Sequence, residues 1–451
     1  MGQHWTSGLS RASVGRLFGV GLVTLALLLA PSHSAWPAVA EAAPSTPSMV
    51  APVPGEIVVQ PKPGRSIDAV NTRYGLRVLF QFTDSTSALV STSDLNGVLA
   101  RLAHDPDVEW FEANNTARQP AAKEDSGSDP YCGPVTSPTG GATAREDSGS
   151  DPFCTSVVPS GRAAYASQWL DARIGLTPAL RQAQGRGITI AVLDTAVETA
   201  HPALAGRLLR GIDVVPLDPQ SDVPTTGSKR GHGTFVAGIA LHVAPAANVL
   251  PVRVLNDDGR GSTSLVAEGI RRAAKAGAQV INMSLSTPTP ARAMREAVAY
   301  AEQRGAILIA AYGNEGLKQP PVYPATFTNV VSVVATDRAD VLARFTNYGN
   351  KADVAAPGVN VVGPWRDGQY GIGSGTSYAA PVVAGEAALL LSGQHGMAPS
   401  TVRAQIVSKG DNIAALNGGW PGFLRVNLSA ALGIKTSGGP GRSTGGAAND
   451  K

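Results

Sequence analysis

Two cysteines in 451 residues are too few for a disulfide-built scaffold, and two isolated thiols do not make a closed zinc site. The formal net charge of +3 is small for this length, and no run of Lys or Arg marks a nucleic-acid partner. Beyond the amino terminus no apolar stretch is long enough to cross a bilayer as a helix. A dinucleotide site is poorly supported too: "GRGITIAVLD" (185–194) lacks the G-x-G-x-x-G that would join its strand to a helix. What the chain does have is 43% hydrophobic residues, enough to bury a sizeable core in more than one domain. Its 51 glycines and 33 prolines fit tight turns and linkers, since no fibrous repeat accompanies them.

Arg11 and Arg16 precede the apolar run "LFGVGLVTLALLLA" (17–30), and Ala38-Val39-Ala40 follows as a small-residue cleavage site. Charged, apolar, then small is the layout of a secretory signal peptide, here residues 1–40. The run is short for an uncleaved anchor, and no cysteine near the cleavage site offers lipid attachment. The expected location is extracellular or periplasmic, free of the membrane once the signal is cut.

Residues 41–117 read as a small β-α-β-β-α-β domain, a ferredoxin-like α+β sandwich. Its second helix carries Leu95, Val98, Leu99 and Leu102 on one face, with Ser93 or Asp94 as N-cap. Residues 118–164 read as linker, in which "EDSGSDPYC" (124–132) recurs as "EDSGSDPFC" (146–154). These copies hold the only cysteines. In an exported chain a Cys132–Cys154 disulfide is one reading, and a duplicated flexible segment with exposed thiols is the other. Residues 165–432 alternate near-continuous apolar runs with amphipathic helices, as in a doubly wound α/β domain whose parallel sheet is covered on both faces. The tail 433–451 is Gly/Ser-rich and without periodicity.

In such a sheet functional groups gather beyond the carboxyl ends of the strands. Asp194 ends "ITIAVLD", and Asn314 follows "AILIAAYG". His232 stands between two glycines in "GHGTFVAGIA", and Ser377 opens an Ala-rich helix in "GTSYAAP". Singly these are a turn former, a turn residue, a buried histidine and an N-cap. Jointly they are a nucleophile, its base, the carboxylate that orients the base, and an amide donor for an oxyanion.

"VLDTAV", "GHGTFVAGI", "AAYGNEG" and "GTSYAAP", in that order, resemble the signature blocks of the subtilisin family of serine endopeptidases, whose chain order is Asp, His, Ser. "YPA" (323–325), "DVAAPG" (353–358) and "RVN" (425–427) add structural landmarks. The resemblance covers roughly residues 165–432. It implies that Asp194 orients, His232 acts as base and Ser377 attacks, while the Asn314 amide and the Ser377 N–H form the oxyanion hole. It also implies that Ser284, Leu285 and Ser286, with the segment 259–262 that includes Gly261, are edge strands for an extended substrate. No cofactor is implied for the chemistry. Family members often bind structural Ca²⁺, but no acidic loop here is specific enough to assign ligands.

The resemblance extends to the N-terminal sandwich, whose "DPDVEWFEANN" (105–115) is similar to the end of a family propeptide. Such a domain assists folding and inhibits until cleaved; an unrelated accessory domain is the alternative. Partners are then protein or peptide substrates and the chain's own propeptide, with no nucleic acid and a monomeric enzyme. Three departures stand out: Ala196 in a usual glycine position, Tyr312 in a usual alanine position, and Ser286-Thr287 where two glycines are common. Among rival readings, an esterase elbow has only Gly441–Gly445 around Ser443, without a strand before it, and a dead protease fold conflicts with four intact site residues.

Overall fold

The computed structural model describes residues 52–120, 156–158, 161–215, 231–394, 396–418 and 424–434. The export segment, both acidic repeats with Cys132 and Cys154, and the tail from residue 435 lie outside the described residues.

The first domain follows the expected order: β1 (Pro52–Pro61), α1 (Ile67–Tyr74), β2 (Arg77–Gln81), β3 (Ala88–Ser91), α2 (Leu95–Leu102) and β4 (Val108–Arg118). The Ser66 hydroxyl accepts the Asp68 N–H to start α1, and Gly75 at φ 63° ends it. Asp94, not Ser93, caps α2, accepting the Gly97 N–H at 3.0 Å. The four strands pair antiparallel in the order β2-β3-β1-β4, the ferredoxin-like arrangement. Alternate residues of β1 face opposite ways. Ile57 and Val59 join Val70, Val98 and Leu102 in the domain's own core, whereas Val58 joins Leu89, Phe82 and Trp110 against the second domain.

The chain resumes with β5 (Ser156–Val157), α3 (Gly161–Ala166), α4 (Trp169–Arg173), α5 (Leu176–Gln182), β6 (Thr189–Asp194) and β7 (Ile212–Asp213). Next come α6 (His232–Val243), β8 (Asn248–Arg253), β9 (Arg260–Ser262), α7 (Thr263–Lys275), β10 (Val280–Met283), α8 (Arg292–Gln303), β11 (Ile307–Ala311) and β12 (Val330–Thr336). The last elements are β13 (Val354–Pro357), β14 (Val361–Pro364), β15 (Tyr370–Gly373), α9 (Thr376–Gly393), α10 (Pro399–Ser408), β16 (Asp411–Asn412), β17 (Leu424–Arg425) and α11 (Leu428–Ala431). A nine-stranded sheet runs β16-β17-β13-β12-β11-β10-β6-β8-β7, parallel except for β16. Its strands feed two faces. Ile190, Val192, Ile307 and Ile309 pack under α6 and α9, while Ala191, Leu193, Leu308 and Ala310 pack under α7 and α8. Strand order reverses at β6, so the crevice beyond its carboxyl end is where an open α/β sheet places its chemistry.

Three boundaries differ from the sequence expectation. The segment taken as linker from 118 begins inside β4, because Arg118 is still paired, and Gln119 and Pro120 continue the strand in extended contact. At its other end, β5 pairs with β15 and α3 has already begun before residue 165. The tail starts later than 433: the Ile434 N–H bonds to the Ser429 carbonyl at 2.8 Å, and its side chain packs on the core. Among the described residues no helix is long and apolar enough to cross a membrane.

Candidate active site

Asp194 ends β6 and is fully buried. Its Oδ1 accepts from His232 Nδ1 at 2.8 Å and from the Thr195 backbone N–H at 2.7 Å. With the carboxylate on Nδ1, that nitrogen carries the proton and Nε2 is left as the basic one. His232 is the first residue of α6 and only 1% exposed. Each flanking glycine answers to a close approach elsewhere in the fold. Gly231 has φ 101°, and a Cβ there would lie 3.0 Å from the Trp365 ring. A Cβ on Gly233 would meet the Thr195 and Ala196 carbonyls at 2.5 and 2.8 Å, so this glycine lets α6 lie against the turn that follows Asp194.

Ser377 lies in the first turn of α9, buried, with its Oγ 3.5 Å from the Ser284 carbonyl. Ser284 Oγ donates in turn to the Ser377 carbonyl at 2.8 Å, which ties the helix start to the end of β10. Asn314 is fixed by Thr376: its Oδ1 accepts from the Thr376 N–H at 2.9 Å and the Thr376 hydroxyl at 2.8 Å. With the oxygen so engaged, the amide orientation follows and Nδ2 faces the cleft. The structure thus gathers all four polar residues singled out from the sequence at the carboxyl edge of one sheet.

The cleft is filled by the chain itself. β4 runs antiparallel to β9, with Thr116, Ala117 and Arg118 opposite Ser262, Gly261 and Arg260. On its other side Arg118 exchanges both backbone hydrogen bonds with Ser286, at 3.0 and 2.7 Å. The Gln119 N–H donates to the Gly259 carbonyl at 3.0 Å, and its side-chain amide reaches Asp194 Oδ1 at 3.3 Å. The Pro120 carbonyl then accepts from Asn314 Nδ2 at 3.2 Å. Gly261 is needed there, since a Cβ would strike the Val254 carbonyl. Sequence reasoning missed Arg118, Gln119, Pro120 and Thr376. The only signal was a two-residue alternation running past 117, and its polar members carry no hydrophobic signature.

A profile of the subtilase family (peptidase S8) matches residues 185–424, more than half of the chain. The chain belongs to the subtilase family. Thermitase of Thermoactinomyces vulgaris is 40% identical over 260 residues, 55% of this chain and 90% of that protein. Subtilisin BL of Lederbergia lenta is 40% identical over 215 residues, 46% of this chain and 77% of that protein. Fervidolysin from Fervidobacterium pennivorans, described as a keratinolytic enzyme related to subtilisin, shares the fold with a TM-score of 0.67 at 22% identity. That likeness covers 85% of this chain and 61% of fervidolysin. The chain is a subtilisin-like serine peptidase.

The departures of this subtilase have local explanations. Ala196 is not among the non-glycine residues with positive φ, so the turn after Asp194 tolerates a Cβ. Tyr312 is fully buried among Val322, Ala325 and Phe327, and that burial pushes its phenol up to about 12. Thr287 pairs with Tyr323, which leaves Ser286 free to hold the strand in the cleft. Two other histidines of the second domain serve structure. His201 accepts the Ala203 N–H and bonds to the Gln369 carbonyl, and His242 meets Asp171 at 2.5 Å. Among the described residues no group of three or more His, Cys, Asp or Glu side chains is placed to hold a metal.

The first domain of the subtilase seats on two helix starts. The Glu112 carboxylate accepts the Arg292 and Ala293 N–H groups at 2.7 and 2.9 Å, capping α8, whose own N-cap Ala291 offers no side chain for the purpose. Asn114 Oδ1 accepts from Ser264 N and Ser264 Oγ at the start of α7. Thr83 donates twice to Glu268, and Asp84 collects Lys275, Tyr300 and Arg304.

Proposed function

We propose that the chain is a secreted endopeptidase that cleaves proteins through Asp194, His232 and Ser377, and that residues 41–117 with the strand leading to Pro120 hold it inactive until cut. The observation that carries this reading is the bonded chain from Asp194 to His232, set beside a helix-start serine and an amide donor that already holds a carbonyl oxygen. Ser377 Oγ attacks the substrate carbonyl, and His232 takes its proton and passes it to the leaving amine. Asp194 keeps the imidazole oriented and stabilises its cationic form. The Asn314 amide and the Ser377 N–H receive the oxyanion. Ser284–Ser286 and β9 bind extended chains through backbone pairing, which selects weakly among side chains. The signal-like segment 1–40 supports export.

A fluorophosphonate probe tests the assignment. On the processed, folded protein it is expected to label Ser377 alone, and heat denaturation beforehand should abolish labelling. No label, or label on another serine, would remove Ser377 from this role.

The inhibitory role of the first domain has its own test. Glu112→Ala removes two bonds to the start of α8. Burial pushes the Glu112 carboxyl up from its ordinary value while the two amides pull it back, so part of the bonding is spent on desolvation. The released domain should inhibit the enzyme about fivefold more weakly, in line with ~1 kcal/mol for an N-cap. Unchanged inhibition would show that this cap does not hold the domain in place.

A further inference from the structure

We propose that the chain cuts itself on the carboxyl side of Pro120, a step that rests on the serine-peptidase reading above. Among the described residues only one carbonyl of β4 and its extension reaches the oxyanion donor: that of Pro120, on Asn314 Nδ2 at 3.2 Å. In acyl transfer the oxygen held by an oxyanion donor belongs to the carbonyl under attack. The bond marked for cleavage therefore joins Pro120 to Ala121.

The register of the strand is pinned on both sides. Ala117, Gln119 and Pro120 are buried while Thr116 and Arg118 are exposed. A slip of one residue would turn the Arg118 guanidinium inward and Ala117 out to water. A slip of two would bring either Arg118 or Ala122 to the amide of Asn314, and it would part Gln119 from Asp194. Upstream, Glu112 and Asn114 are committed to the starts of α8 and α7, which anchors β4 before it enters the cleft.

The chemistry balances as an ordinary hydrolysis. Ser377 Oγ adds to the Pro120 carbonyl carbon and its proton passes to His232. The C–N bond to Ala121 breaks as that proton moves to the amine. One water then hydrolyses the ester, and Pro120 becomes the carboxyl terminus of the released domain.

Proline at this position has a specific cost. Arg118 opposes Ser286 in an antiparallel, doubly bonded pair, so residue 120 opposes Ser284 in the next such pair. The Ser284 carbonyl is therefore placed to accept an N–H from residue 120, and proline has none. The acyl residue is held through Arg118 and Gln119 instead, and the first cut is slow.

The test follows the full chain over time by intact mass and terminal sequencing, beside Ser377→Ala and Pro120→Ala. The first fragments should end at Pro120 and begin at Ala121, and Ser377→Ala should stay uncut. Pro120→Ala should be cut at the same position about fivefold faster, the value of one restored hydrogen bond. An active chain whose first cut falls elsewhere overturns the bond assignment and leaves self-processing standing. A Ser377→Ala chain cut in a protease-free host overturns self-processing itself. A Pro120→Ala chain cut no faster overturns the account of proline.

Discussion

Ser377→Ala, and separately His232→Ala, should lower turnover on an unfolded protein such as casein by a factor on the order of 10⁶, the scale measured for these two roles in subtilisin. Either loss removes the same step, so the double variant should be scarcely worse than the single ones. Asn314→Ala should cost less, about 10²–10³, because the backbone donor at Ser377 remains. The Asn314 loss should fall mainly on kcat, since the bond from its Nδ2, already made to a neutral carbonyl at 3.2 Å, strengthens as negative charge develops on that oxygen. Casein hydrolysis with the processed enzymes measures all three. Near-normal turnover by purified Ser377→Ala would sink the mechanism, and a purely KM effect in Asn314→Ala would move that residue from stabilising charge to binding.

Glu386→Gln should make the protein markedly more resistant to unfolding at alkaline pH. Glu386 lies in α9, 1% exposed, and its Oε2 has no hydrogen-bond partner among the described residues. Burial pushes its carboxyl up to about 8 from an ordinary 4.5, against a weaker pull from Arg425. That guanidinium is already matched by Asp340 at 2.9 Å and Asp411 at 2.6 Å, which is why its pull is modest. The sign follows from where the proton is held. Below 4.5 both folded and unfolded chains keep it, and burial of the neutral acid is tolerated. Between 4.5 and 8 the unfolded chain releases the proton and the folded one retains it, so stability falls by about 1.4 kcal/mol per pH unit. The loss accumulates to a value on the order of 4 kcal/mol by pH 8. Glutamine keeps the shape and cannot ionise, so the two proteins should match near pH 4 and diverge as pH rises. Denaturant midpoints measured in a Ser377→Ala background, to prevent self-digestion, give the comparison. Parallel pH curves would mean that Glu386 does not titrate in this window.

The strands of the large sheet were legible because both faces are covered and the runs are apolar throughout, as in "GITIAVLD" and "AILIAAYGN". Helix α8 was legible because Met294, Ala297, Val298 and Ala301 recur at helical spacing and are all buried. Asp194, His232, Asn314 and Ser377 were legible because each ends a strand or starts a helix in a recognisable block. Gln119 and Pro120 were not, since polar residues after a strand look like linker until a cleft on another domain claims them. Glu386 was hidden differently: one carboxyl in a run of Ala, Val and Leu leaves a periodicity count almost unchanged. What Gly231 and Gly233 pack against was not legible either, because Trp365 and the 195–196 turn come near them only in three dimensions.

The joining of β9 to β4 also bears on the order in which the molecule assembles. Parallel pairs of the large sheet bring together residues far apart in the chain, such as Ile190 with Val280 and Ala355 with Arg425. The entropy of closing those loops opposes folding before the contacts that favour it exist. In the small sheet β2 pairs directly with β3, the next strand in the chain, a local contact that closes at low entropic cost. Once formed, its β4 edge presents a fixed template for β9, with Asn114 and Glu112 waiting at the starts of α7 and α8. A first domain formed ahead of the large sheet would therefore offer the second domain a pairing edge from outside itself. If the first domain is cut away as proposed, a chain that then unfolds has to find the same pairing unaided, and its lifetime is set by the height of its unfolding barrier rather than by its equilibrium stability.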